Sequence, residues 1–105
     1  MAMRVNIKNS NRLAETIKKL TGESLNSPIT GITTDSRSCE PGDLYVALTG
    51  IRSDGHQYIN EVQRKKASAA LVSELSVNQN NKMKHILVKD TRSTLGLIAN
   101  TWRKN

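Results

Sequence analysis

Apolar and polar positions alternate along the chain with two different periods, and the changes of period mark its elements. Leu13, Ile17 and Leu20 recur at i, i+4 and i+7, which predicts an amphipathic helix with Ser10 or Asn11 as N-cap and Gly22 closing it in the left-handed conformation. Ile29 to Thr34 (ITGITT) is rich in β-branched residues and reads as a strand that stops at polar Asp35-Ser36-Arg37. Pro41 and Gly42 occupy the central positions of a type II turn, Glu40 to Asp43. That turn feeds Leu44 to Leu48 (LYVAL), so nearly all apolar that both faces of the strand must be covered. After a loop from Gly50 to Gly55, Ile59 and Val62 mark one face of a second helix ending among Arg64, Lys65 and Lys66. Ser68 to Ser73 and His85 to Lys89 are two further strands, separated by the polar stretch Asn78 to Lys84. Asp90 or Thr91 then caps a last helix with Leu95, Ile98 and Trp102 on one face. The order α-β-β-α-β-β-α predicts an α/β fold, a small single-domain sandwich with a mixed β-sheet flanked by helices.

Composition narrows this picture. A length of 105 residues allows one domain, and with no Phe and only Trp102, Tyr45 and Tyr58 as aromatics the core must be mainly aliphatic. The formal charge of +7 favours anionic partners: nucleic acid, acidic headgroups or a phosphorylated small molecule. A lone cysteine, Cys39, excludes an intrachain disulfide and a Cys-based metal cage, and points to a reducing compartment. No apolar run reaches the ~20 residues of a membrane span, and Met1 to Asn11 lacks the apolar stretch of a signal peptide. The expectation is a soluble, cytoplasmic chain with no membrane partner.

His56 and His85 are far apart and neither has a second ligand at helical spacing, which argues against a metal site. Cys39, just before the Pro-Gly turn, suits a small apolar side chain better than a nucleophile. None of the six glycines precedes a lysine, so the chain has no P-loop for a nucleoside triphosphate. Two polar loops do follow strands: Thr34-Asp35-Ser36-Arg37, and Gly50 to His56 (GIRSDGH). Strand ends are where α/β folds bind ligands, and Arg and Ser there could grip a diphosphate. The same spacing also suits a structural reading, in which Asp35 and Asp54 close Asx turns and Arg37 pairs with one of them. The remaining Lys and Arg are scattered, with few aromatics to stack bases, and read as solvated surface; a basic module binding nucleic acid or a protein is the rival class.

The ordered set Thr34-Asp35-Ser36-Arg37, Pro41-Gly42-Asp43-Leu44-Tyr45-Val46-Ala47-Leu48, Gly50, Asp54-Gly55-His56 and Ala69-Ala70-Leu71-Val72 resembles the N-terminal domain of the Mur ligases. These are ATP-dependent amide-forming enzymes of bacterial peptidoglycan precursor synthesis, hence of cell wall biogenesis, cell shape and cell division. The resemblance runs from about Leu13 to Arg103. Within the family, Val88-Lys89-Asp90-Thr91-Arg92 and the helix carrying Gly96, Ala99, Trp102 and Arg103 look most like the D-Ala-D-Ala-adding branch. The alternative is the branch that adds a third residue, diaminopimelate or L-Lys, to UDP-N-acetylmuramoyl-L-Ala-D-Glu.

The resemblance implies that residues 1–105 form the domain holding the UDP end of a UDP-N-acetylmuramoyl-peptide. Ser36 is then the first candidate for a UDP contact, with Thr34 and Arg37 beside it. Ile51, Arg52 and Ser53 fall in the loop that lies against the uridine and diphosphate in relatives. Asp35, Asp54, Gly55 and His56 match the motif either as a substrate loop or as turn formers. The ATP-binding and C-terminal domains are expected to lie outside this chain, together with the ATP and Mg²⁺ of the complete enzyme; the chain alone holds no cofactor and is non-catalytic. Lys66 stands where the family usually has glycine, which predicts a differently closed helix end.

Overall fold

The computed structural model describes residues 4–6, 10–25, 29–48, 54–73 and 83–103. Strand β1 (Arg4–Asn6) precedes helix α1 (Ser10–Thr21), strand β2 (Gly31–Thr33) and strand β3 (Leu44–Val46). Helix α2 (Ile59–Arg64), strand β4 (Ala69–Val72), strand β5 (Lys84–Leu87) and helix α3 (Thr91–Arg103) follow. The strands form one sheet in chain order, β1 antiparallel to β2 and β2 to β5 mutually parallel, so the predicted mixed sheet is found with one strand more. Arg4-Val5-Asn6 has a single apolar residue and no period to read; it becomes a strand by pairing Val5 opposite Ile32 at the sheet edge.

Strand β3 lies at the centre, and its alternation divides the core into two layers. Leu44 and Val46 join Ala69, Leu71 and Ile86 beneath Leu13 and Ile17 of α1 and Ile98 of α3. On the opposite face, Tyr45 and Ala47 join Ala70 and Val72 beneath Ile59 and Val62 of α2. Cys39 and Met83, from the links entering β3 and β5, belong to this second layer. Right-handed crossovers between parallel neighbours in chain order favour connections on one side, where α2 lies, leaving the other to α1 and α3. Cys39 thus serves as a small apolar side chain, 7% exposed. Each fully buried Leu, Ile or Val stabilises the fold by roughly 1.5–3 kcal/mol.

Helix ends follow local chemistry. Gly22, at φ +78°, closes α1 and donates to the Lys18 carbonyl at 2.7 Å. The buried stripe of α1 runs through Leu13, Thr16 and Ile17, whereas Leu20, predicted on that face, is 38% exposed. Thr16 can be buried there because its hydroxyl donates to the Arg12 carbonyl at 3.0 Å. At α3, Asp90 is the cap, accepting from Ser93 N at 3.1 Å, while Thr91 turns inward.

The end of α2 corrects the sequence expectation. Lys66 adopts φ +66°, donating to the Gln63 carbonyl at 2.9 Å, and Ala67 donates to the Val62 carbonyl at 3.0 Å. These two bonds are the glycine-type Schellman closure, built with a lysine. The conformation persists because the Lys66 carbonyl accepts from Gly42 N at 2.9 Å, tying α2 to the turn before β3. That turn is further locked by Asp43, fully buried, whose carboxylate accepts from Glu40 N at 2.9 Å and lies 3.1 Å from the Thr30 hydroxyl.

Because a β-carbon at positive φ costs about 1 kcal/mol, Lys66→Gly is expected to raise unfolding stability by about 0.5–1 kcal/mol in urea titrations. Lys66→Val, β-branched at the same φ, is expected to lower it by at least about 1 kcal/mol.

Candidate functional site

At the carboxyl end of β2 the chain leaves the sheet through Thr34-Asp35-Ser36-Arg37, and a 3-10 turn, Ser36–Ser38, turns it back. The buried Thr33 hydroxyl organises the departure: it donates to the Asp35 carbonyl at 3.0 Å, accepts from Asp35 N at 3.1 Å and lies 2.7 Å from Ser38 Oγ. Asp35 closes an Asx turn by accepting from Arg37 N at 2.8 Å. The Arg37 guanidinium grips the same carboxylate through Nε at 3.2 Å and Nη2 at 3.0 Å. Of the two arrangements open in the sequence, Arg37 pairs with Asp35.

These bonds lower the Asp35 pKa below its ordinary 3.8, the Arg37 side-chain hydrogen bond being the main cause, and raise that of Arg37. The Arg37 side chain remains 79% accessible, so its outer donors face solvent. Ser36 is buried, and its hydroxyl is bonded by no described residue. Its carbonyl accepts from Lys65 Nζ at 2.7 Å. The turn therefore gathers a hydroxyl, a guanidinium and an ammonium at a strand end.

A second segment packs against the carboxyl end of β3. Gly55 N donates to the Leu48 carbonyl at 2.7 Å, and the Tyr45 hydroxyl donates to the Gly55 carbonyl at 2.9 Å. A β-carbon on Gly55 would sit 2.8 Å from Leu48 N and 3.0 Å from Ala47 Cα, so glycine is required by close approach of backbone to backbone. Burial, with the nearby Asp35 charge, pushes the Tyr45 phenol above its ordinary range, keeping it a donor. Asp54 begins the 3-10 turn Gly55–Tyr58, its carbonyl accepting from Gln57 N at 3.1 Å. On the far side, Thr91 Oγ1 donates to the Ala47 carbonyl at 2.7 Å and seats the start of α3 at the same edge.

Thr34, Asp35, Ser36 and Arg37 are thus brought together, while Ile51, Arg52, Ser53 and the His56 side chain lie outside the described residues. Sequence reasoning missed Lys65, which it placed only in the basic end of α2; its partner lies 29 residues away. Tyr45 was readable in principle, since a tyrosine in a buried aliphatic strand needs a partner for its hydroxyl. Among the described residues no group of three His, Cys, Asp or Glu could hold a metal, and no helix is long and apolar enough to cross a membrane.

Known proteins share this fold. A family profile described as "Mur ligase family, catalytic domain" matches residues 28–103, and the chain belongs to the Mur ligase family. Among curated relatives, the UDP-N-acetylmuramoyl-L-alanyl-D-glutamate–2,6-diaminopimelate ligase of Syntrophomonas wolfei is 38% identical over 92 residues, covering 84% of this chain and 19% of that protein. Its counterpart in Bacteroides thetaiotaomicron is 37% identical over 87 residues, 83% of this chain and 18% of that one. Among solved structures, the UDP-N-acetylmuramoylalanyl-D-glutamyl-2,6-diaminopimelate–D-alanyl-D-alanyl ligase from Acinetobacter baumannii superposes with a TM-score of 0.75 at 25% identity, covering 98% of this chain and 22% of that one. MurF ligase from Thermotoga maritima, in complex with ADP, gives 0.58 at 31% identity over 67% of this chain and 16% of that one. The chain spans about a fifth of the length of the curated relatives it matches.

Because Arg37 depresses the Asp35 pKa, the turn is fully stabilised above pH 3.8 and loosens as pH falls through the lower folded value. Carboxyl NMR titration is expected to place the Asp35 midpoint below 3.8, and Arg37→Gln to return it toward 3.8. Gly55→Ala is expected to cost about 1–3 kcal/mol in urea unfolding, because backbone must move to admit the methyl.

Proposed function

We propose that this chain is the domain by which a Mur ligase holds the uridine diphosphate end of a UDP-N-acetylmuramoyl-peptide. The observation that carries this reading is the built turn from Thr34 to Arg37 at the carboxyl end of β2, which sets the buried Ser36 beside solvent-facing guanidinium donors. A diphosphate suits such donors, because charge-assisted hydrogen bonds to guanidinium and hydroxyl groups are short and roughly twice as strong as neutral ones. Thr34, Ser36 and Arg37 are the proposed contacts, with Ile51, Arg52 and Ser53 of the following loop against the same ligand.

Within the family, the reading that the relatives favour is the branch adding diaminopimelate to UDP-N-acetylmuramoyl-L-alanyl-D-glutamate, since the 38% and 37% identical proteins carry that name. The D-Ala-D-Ala-adding branch, suggested by Val88 to Arg92, keeps the support of the 0.75 TM-score. In either branch the complete enzyme uses ATP and Mg²⁺ to activate the terminal carboxylate of the peptide for attack by an amine. This chain's share is positional: binding the remote nucleotide fixes where the reacting carboxylate lies, so binding energy is used to lower the barrier. Its partners are then the substrate and the other domains of the same enzyme, working in the cytoplasm.

Calorimetry with UDP-N-acetylmuramoyl-L-Ala-D-Glu tests the site. Ser36→Ala with Arg37→Ala is expected to weaken binding by about tenfold or more; equal binding by variant and wild type would overturn the assignment. Displacement by UDP separates this reading from the basic-module rival, which predicts nucleic-acid retention indifferent to UDP. Amide formation with diaminopimelate, against D-Ala-D-Ala, by the complete enzyme decides the branch.

A further inference from the structure

The charge at the Thr34–Arg37 turn does not come from where the sequence suggests. Arg37 is the obvious cation, yet it is bound through two nitrogens to Asp35, so the pair brings almost no net charge to the turn. Lys65 Nζ reaches the same turn from the end of α2 and donates to the Ser36 carbonyl at 2.7 Å. Glu61 stands one helical turn before it, but the contact between them runs through backbone, Lys65 N donating to the Glu61 carbonyl at 3.1 Å. Among the described residues no carboxylate forms an ion pair with the Lys65 ammonium.

From this geometry we infer that Lys65 is the positioning residue of the site and supplies it with a positive charge that no ion pair among the described residues takes up, although the Glu61 carboxylate acts on the same turn. An ammonium has three donors and one is used at Ser36, which leaves the others for an oxyanion. The same Ser36 carbonyl accepts from Cys39 N at 3.4 Å, so the ammonium is attached to the backbone of the turn itself. Lys65 is half-buried, and its seat is held by the lysine-built closure at Lys66, so the charge is delivered by a rigid helix end. This rests on the proposed uridine diphosphate reading and names a residue no strand-end motif contains.

The test measures the affinity of UDP-N-acetylmuramoyl-L-Ala-D-Glu for wild type, Lys65→Met and Lys65→Arg at low and high salt, with thermal unfolding alongside. Charge supplied by Lys65 predicts Lys65→Met about tenfold weaker at ~20 mM salt and the deficit shrinking to about threefold at ~500 mM, since screening weakens the missing attraction in wild type. Lys65→Arg, which keeps the charge and a donor, is expected to remain within about threefold of wild type. Lys65→Met binding like wild type, or a deficit independent of salt, would overturn the inference while leaving the site intact. Wild type that does not bind the ligand would overturn the uridine diphosphate reading itself, and this inference with it.

Discussion

The structure depends on the burial of β3 on both faces. Leu44, Tyr45, Val46 and Ala47 are all 1% exposed or less, so this short strand needs a helical layer on each side. Parallel pairing with β2 and β4 supplies its backbone partners, and the connections of parallel neighbours supply one of the two layers. Both ends of the strand are then tied by polar groups with nowhere else to go. At the amino end the buried Asp43 carboxylate closes the Pro41-Gly42 turn; at the carboxyl end the Thr91 hydroxyl meets the Ala47 carbonyl.

The candidate site is a consequence of that anchoring. A parallel sheet has all its strand exits on one edge, and the polar side chains there face each other without competing for the core. The buried Thr33 hydroxyl sets the exit from β2, and the Tyr45 hydroxyl holds the Gly55 segment against the exit from β3. The family motif thus separates into two physical parts. Pro41, Gly42, Asp43, Tyr45 and Gly55 shape the frame, whereas Thr34 and Arg37 are placed by that frame at the solvent boundary, with the buried Ser36 beside them. Lys65 joins them from a different element, which makes the charge of the turn a tertiary property.

Much of this is legible in the amino-acid sequence, and the reason is local chemistry. The Pro-Gly turn, the Gly22 closure, the Asp90 cap alternative and the two-faced apolar strand all follow from neighbouring residues, and each is found. Strand β1 was not legible, because Arg4-Val5-Asn6 carries no period and becomes extended only by pairing with β2. Leu20 misled because spacing measures a helix face but not how far its partner extends. Lys66 misled differently: a lysine where the resembled family has glycine argued for another closure, yet the bond from Gly42 to its carbonyl favours the left-handed conformation over the lysine's own preference. The Lys65 to Ser36 bond joins residues 29 positions apart, beyond any motif spacing.

The central claim is one of place: a nucleotide diphosphate meets this domain at the carboxyl edge of its sheet, beside the Thr34–Arg37 turn. Amide chemical-shift mapping of the ¹⁵N-labelled chain during a UDP titration addresses it most directly. The account predicts saturable shifts concentrated at Thr34, Asp35, Ser36 and Arg37, with Gly55 and Lys65 next, and little change at Gly42 and Asp43 on the opposite edge. Shifts spread over the scattered surface lysines, or centred on the amino-end turn, would contradict it.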